Sequence, residues 1–331
     1  MFKGVCNLSL KSLTLKKLEE EVKIAREISW KNLGKKIVFY NPSFIFHKNY
    51  FSPWIFPSIS ITGVSCSLKC KHCGGKILKT MIPALTPEKL IEVCMEIEKH
   101  KGLGCLISGG CLPNGEVPLK NFFKAIQEVK SKTKLKIVVH TGLINEETAF
   151  KLKDAKVDAA LIDVIGSDET INEIYHLNAT IKDFEKSLNA IKKAGIPLIP
   201  HVLIGLHYGK IKGEYNAINI LSRYNPSALI MIVFFPIKGT KMEKEKPPNI
   251  LEVTKLLVYA RKAFPNTPIA LGCARPTGSY RIELDSIAIK TGVNAIAFPS
   301  KKAVELAKSF NLEILYSNVC CSQIYEEYLK I

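Results

Sequence analysis

The sequence predicts an α/β fold built on a parallel sheet, from the order of its apolar runs and from their make-up. From about residue 59 to 310, runs of four to eight mostly apolar residues alternate with amphipathic stretches. The runs are continuous rather than alternately apolar and polar, as in parallel strands buried on both faces. Eight strand–helix pairs over about 250 residues form the pattern of a (β/α)₈ TIM-like barrel. An open doubly wound sheet would give the same order, because order along the chain does not report closure.

The first element is a helix over 10–34, where Leu15, Leu18, Val22 and Ala25 share one face and Gly34 ends the run. An aromatic-rich connection, Phe39 to Phe56, leads to the first strand. The predicted strands are Ile59–Thr62, Gly104–Ser108, Lys136–His140, Ala159–Val164, Leu198–Ile204, Ala228–Phe235, Pro268–Gly272 and Asn294–Phe298. Helices are predicted near 87–100, 119–131, 145–154, 181–194, 213–223, 249–264, 280–291 and 301–310. The domain expectation is an N-terminal helical extension (1–45), the barrel (46–310) and a C-terminal tail (311–331).

Composition narrows the function. Apolar residues make up 47% of the 331, enough for a large core and too many for a disordered chain. The longest apolar run, near Ala228 to Ile237, falls short of the roughly 18 residues of a membrane span. The basic N-terminus lacks the apolar stretch of a secretory signal, so a cytoplasmic protein is expected. Lysine and arginine exceed aspartate and glutamate by 47 to 30, a formal charge of +17. Three readings fit that excess: a solvated basic coat, a face for an acidic protein, or a nucleic-acid surface. No interleaved arginine–aromatic stretch or nucleic-acid motif is visible, so nucleic acid is not an expected partner.

The ten cysteines carry more. In a reducing compartment they serve as core filler, catalytic thiols or metal ligands rather than disulfides. Cys94 lies in the amphipathic stretch TPEKLIEVCMEI and is read as a buried small hydrophobe; Cys6 is read as incidental. Cys66, Cys70 and Cys73 stand in SCSLKCKHCGG (65–75), directly after the first strand. At this cysteine content a C-x₃-C-x₂-C spacing arises by chance on the order of once in a hundred such chains. Three thiolates can hold three irons of a [4Fe–4S] cluster and leave the fourth open. The alternative is zinc held by the three cysteines and His72, although His72 is poorly placed in sequence to close that tetrahedron.

On a parallel barrel, chemistry gathers at the C-terminal ends of the strands. There the second strand offers LISGGC with Gly109, Gly110 and Cys111; the fourth ends in LIDVIGSDE with Asp163; the fifth carries His201 and Gly205. Glycines allow a ligand close to the backbone. Asp163 in an apolar strand faces either a ligand or a buried hydrogen-bond partner. His201 is either a site residue or a satisfied core histidine.

The cysteine loop at this position resembles the radical S-adenosylmethionine (SAM) superfamily. The resemblance implies that Cys66, Cys70 and Cys73 ligate the reducing cluster. It puts His72 beside the adenine, the Gly109–Gly110 backbone at the SAM amino group, and the strand around Gly205 at the adenine. Cys111 replaces the family's acidic residue. One electron then cleaves SAM to a radical that takes hydrogen from unactivated carbons.

Cys273 follows the seventh strand in LGCARPTG, and the tail holds Cys320, Cys321 and Ser322 in NVCCS. Adjacent cysteines rarely bridge each other, so the pair points to metal ligation; the alternative is core thiols. With GCARP and CCS in place, the chain from about residue 20 onward resembles the two-protein lipoyl synthases among biotin synthase-like radical SAM proteins. That resemblance implies an auxiliary [4Fe–4S] cluster on Cys273, Cys320, Cys321 and Ser322, consumed as a sulfur source. It implies sulfur insertion into an octanoyl chain on a lysine of an acidic lipoyl carrier domain. A companion lipoyl synthase protein and an electron donor such as ferredoxin would be needed. Another sulfur-inserting or methylthiolating radical SAM enzyme, acting on a small molecule or tRNA, is the alternative activity.

Overall fold

The computed structural model describes residues 14–41 and 53–328. Eleven strands form one sheet: β1 (Lys36–Tyr40), β2 (Ser58–Ser60), β3 (Ile82–Pro83), β4 (Gly104–Ser108), β5 (Lys136–His140), β6 (Ala159–Asp163), β7 (Leu198–Ile204), β8 (Leu229–Val233), β9 (Ile269–Leu271), β10 (Ala295–Ala297) and β11 (Glu313–Ser317). The spatial order is β11-β1-β10-β9-β8-β7-β6-β5-β4-β2-β3. Every pairing is parallel. All eight predicted strands are present. The sheet curls into a half-barrel that stays open, with β3 and β11 as its edges.

The helices are α1 (Leu15–Leu33), α2 (Pro87–Lys99), α3 (Phe123–Lys132), α4 (Glu146–Asp154), α5 (Asp168–Tyr175), α6 (Ile181–Ala194), α7 (Glu214–Leu221), α8 (Ile250–Ala263), α9 (Gly278–Lys290), α10 (Lys301–Ser309) and α11 (Ile324–Tyr328). Their limits follow local chemistry. Thr86 caps α2 by accepting from Lys89 N, with Pro87 at the first helical position. Thr180 and Asp183 form a capping box on α6, and Gly195 ends it in the left-handed region.

Alternate strand residues divide two cores. Ile107, Ile137, Val139 and Ile162 pack outward with helix residues such as Leu90 and Ile126. Val138, Leu161, Ile199, Ile230 and Ala295 face inward, away from the helices. By the same alternation His140, Asp163 and His201 face inward near the C-terminal ends of β5, β6 and β7.

Three strands escape the sequence reading. β1 lies in the segment read as an extension and β11 in the segment read as a tail, and the two pair over five residues. The tail then turns inward. β11 ends level with Tyr40 at the C-terminal end of β1, whereas α11 lies across the opposite end. There Tyr325 Oη donates to Asp158 O (3.2 Å), just before β6, and Tyr328 Oη to Lys36 O (3.2 Å) at the start of β1. Residues 318–323 therefore pass through the interior of the half-barrel. Buried Ile324 and Tyr325 anchor them, while the half-exposed Lys136–Glu326 pair (2.9 Å) contributes at most about 1 kcal/mol.

Candidate functional site

The cysteine loop leaves β2 at the C-terminal edge of the sheet. Gly74 and Gly75, at φ 54° and 74°, turn the chain away behind Cys73. The turn after β4 holds the front of the loop: Ser67 N donates to Cys111 O (2.9 Å), and Gly110 N to Thr62 Oγ1 (2.7 Å). A Cβ on Gly110 would strike the Ser65 carbonyl and lie 2.6 Å from Cys66 Cα. Close packing on the loop thus requires glycine at 110. Gly109 lies beside Thr62. The end of α5 holds the back, with Lys71 N donating to Ile174 O (2.8 Å) and the Cys70 thiol to Tyr175 O (3.8 Å).

The donor atoms of Cys70, His72 and Cys73 lie within 4.8 Å of one another. His72 is thus closer to the thiols than its place in sequence suggests. Its ring stacks on Tyr175 (5.3 Å between centroids), and its buried Nδ1 has no hydrogen-bond partner. Cys66 and Cys111 pack against Cys70 and Cys73 in one buried group. Its hydrogen bond with Cys70 lowers the Cys73 thiol against the effect of burial, with help from His72; the same bond and burial raise Cys70. One thiol of the pair is therefore poised as a thiolate, the form that binds metal. A cavity of about 430 Å³ opens over Cys66, Cys111, Thr62 and Ser65. Burial pushes the Cys111 thiol up to about 12, with charge on Cys66 and Asp163 adding to it.

A polar cluster stands beside this loop. His140 Nε2 lies 3.5 Å from Asp163 Oδ1, Tyr175 Oη donates to Asp163 Oδ2 (3.4 Å), and the His140 and His201 rings are 6.1 Å apart. Burial works against an Asp163 carboxylate, yet the charge and hydrogen bond of His140, with His201 and His72, hold its pKa at about 2. Burial pushes His201 down to about 4. Burial also disfavours charge on His140, but Asp163 outweighs it and raises His140 overall. Gly205 N–H donates to Glu214 Oε1 (2.8 Å), which lines a small pocket with Asp163 and Tyr175, and its α-carbon lies close against Pro248. His140 and Tyr175 were missed from sequence. A polar residue ending an inward strand marks His140; Tyr175 closes a helix that was not predicted.

A second thiol set lies inside the curl. Cys320 and Cys321 come from the threading tail, Cys273 from the turn after β9, and all three belong to the inner core. They are near enough to act on one another: burial and then Cys320 push Cys273 up to about 11, and Cys273 adds to the rise of Cys321. The Cys321 thiol lowers Cys320 to about 7 against burial, with help from a hydrogen bond to Ser322. Ser322 is fully buried and accepts from Gln323 Nε2 (3.4 Å). Tyr40 Oη and Gln323 Oε1 are buried without partners. Burial raises the Tyr40 hydroxyl, and charge on Cys321 adds to that. The three thiols are not gathered as tightly as Cys70, His72 and Cys73. Of the remaining cysteines, Cys94 and Cys105 touch in the outer core (Sγ–Sγ 4.0 Å), and Cys6 lies outside the described residues.

Residues 60–212 match the model of the Radical SAM superfamily. The chain carries a radical SAM domain. The match takes in the cysteine loop, the β4 turn, Asp163, His201 and Gly205. The radical SAM domain implies SAM and a [4Fe–4S] cluster, and Cys70 and Cys73 beside the unpartnered His72 Nδ1, with Cys66 packed in the same group, are a donor set that fits them. Among curated proteins the chain is similar to biotin synthases. With that of Lysinibacillus sphaericus it shares 25% identity over 228 residues, 65% of this chain and 68% of that protein. With that of Clostridium botulinum it shares 27% over 240 residues, 70% and 72%. Methylornithine synthase (PylB) has the same fold at TM-score 0.64 and 15% identity, covering 96% of this chain and 94% of that one. The [FeFe]-hydrogenase maturase HydG shares it at 0.67 and 18%, covering 96% and 72%. Cys273, Cys320 and Cys321 lie outside the matched residues. Among the described residues no helix is long and apolar enough to cross a membrane.

Proposed function

We propose that this radical SAM enzyme inserts sulfur into an unactivated carbon of a protein-bound octanoyl chain, as one component of a two-protein lipoyl synthase. The observation that carries the reading is the second thiol set, Cys273, Cys320, Cys321 and Ser322, inside the same curl that carries the cysteine loop on its rim. Cys66, Cys70 and Cys73 would hold the cluster whose electron cleaves SAM to a hydrogen-abstracting radical; the second set would hold the cluster that supplies sulfur. The chain's own residues supply the surroundings. The inner core around the second set is apolar, with Leu106, Val138, Leu161 and Ile232, which keeps water from its thiols. Asp163, His140 and His201 are the polar groups placed to orient SAM or substrate. The charge of +17 suits docking of an acidic carrier domain, and a companion protein and a ferredoxin-type donor complete the system.

The test is 5′-deoxyadenosine release and sulfur incorporation, followed by mass spectrometry on an octanoyl-lysine peptide under anaerobic reduction, with and without the companion. A mass gain of one sulfur on the peptide is expected. The similarity to biotin synthases favours a second reading, in which the sulfur acceptor is a free small molecule. Turnover with dethiobiotin and none with the peptide would select it.

A further inference from the structure

The inner core holds a polar group that neither thiol set explains. Tyr40 is the last residue of β1, faces inward with Val38, and has no exposed surface. Its backbone is fully engaged in the sheet, in register with Ala297 on one side and Ser317 on the other. Its hydroxyl has no hydrogen-bond partner. A buried hydroxyl without a partner is unfavourable, and phenylalanine would fill the same space without that cost. The groups whose charge acts on the hydroxyl are, in order, Cys321, Glu327, Cys320 and Tyr328. Ser317, the register partner of Tyr40, stands three residues before Cys320. The hydroxyl thus belongs to the surroundings of the second thiol set and lacks only an acceptor.

We propose that Tyr40 is a positioning residue that donates its hydroxyl hydrogen bond to a sulfur of the group held by Cys273, Cys320 and Cys321, raising that group's reduction potential. This rests on the second thiol set holding an iron–sulfur cluster. Hydrogen bonds to cluster and thiolate sulfurs stabilise the more negative, reduced state, so a lost donor lowers the potential.

The experiment uses the full chain with Cys66, Cys70 and Cys73 all changed to Ala, reconstituted anaerobically, so that only the second centre contributes. Iron content is measured first, then the midpoint potential and the EPR spectrum of the reduced centre, with and without Tyr40→Phe. The expected result is about four irons per chain in both, and in Tyr40→Phe a more negative potential with shifted g values. Should Tyr40→Phe fail to fold, 3-fluorotyrosine placed at position 40 keeps the shape and strengthens the donor; the potential must then move the other way. A background chain that takes up no iron overturns the second centre and the Tyr40 assignment with it. Equal iron, potential and g values in both forms leave the second centre standing and overturn Tyr40 alone.

Discussion

The two thiol sets are built on opposite plans. The first stands on a loop at the rim, clamped by backbone hydrogen bonds from the β4 turn and the end of α5, and bordered by titratable side chains. The second is assembled in the interior from chain segments 47 residues apart, Cys273 and Cys320, with apolar neighbours and a fully buried ion pair. A rim loop can take up a cluster without rearranging the barrel, because its three thiols lie within eight residues of one another on the open edge. The interior set exists only when β9, β11 and the threading tail are all in place, so the cluster proposed for it would be tied to the fold.

The sharpest way to break the comparison is to delete each set in turn. Cys66, Cys70 and Cys73 changed to Ala should abolish 5′-deoxyadenosine release and leave about half the iron. Cys273, Cys320 and Cys321 changed to Ala should also leave half the iron, while reductive cleavage of SAM continues and sulfur transfer to carbon stops. Iron analysis and product chromatography on the two variants read this directly. If both deletions halt SAM cleavage alike, the division of labour fails.

Arg275 tests whether the interior set depends on the fold. Its Nε donates to Asp285 Oδ1 (3.0 Å), Nη1 to Gly272 O (2.7 Å) and Nη2 to Phe298 O (3.1 Å), while Ser300 N donates to Asp285 Oδ2 (2.8 Å). Neither side chain of the ion pair reaches solvent. The pair ties the turn carrying Cys273 to the end of β10. Arg275→Met leaves Asp285 charged and buried, and should cost about 3–5 kcal/mol in urea unfolding. It should reduce the iron of the second centre far more than that of the first. Equal loss from both centres would mean that Arg275 supports the fold and not the second site in particular.

The same contrast explains what the sequence discloses. Eight of the nine inner strands announce themselves as continuous apolar runs, because both of their faces are buried. β11 does not, since it is an edge strand with none of its five residues fully buried. β1 is apolar but follows a long helix, and so reads as part of an extension. The rim thiols are legible as a motif, since a loop brings them together within eight residues. The interior thiols are legible only as a vicinal pair and a strand-end cysteine; their meeting depends on the inward turn of the tail. α5 carried a usable signal, Ser167 before Asp168 and Glu169, and with it came Tyr175. Openness of the sheet has no signature in any single run, because closure is a relation between the first and last strands.

The polar border of the rim set yields the smallest effect, a dependence of stability on pH. His201 titrates near 4 when folded and near 6.5 when unfolded. Between those values the unfolded chain binds the extra proton, so stability falls as pH falls through this window. The cost from His201 alone is about 2 kcal/mol between pH 7 and 5. Its neighbours act elsewhere. Asp163, held near 2, contributes stability present above its ordinary value of 3.8 and lost only as pH falls below that. His140, raised by Asp163, contributes stability present below about 6.5 and lost as pH rises through its folded value. His201→Gln, which cannot be protonated, should therefore flatten the loss of stability from pH 7 to 5 in the cluster-free chain by about 2 kcal/mol. Urea midpoints at the two pH values measure it. Tyr40→Phe at the interior set should leave that slope where it was, because its hydroxyl carries no charge across this range. Parallel slopes for the wild type and His201→Gln would show that the rim histidines are not the source of acid sensitivity, and would erase this difference between the two sites.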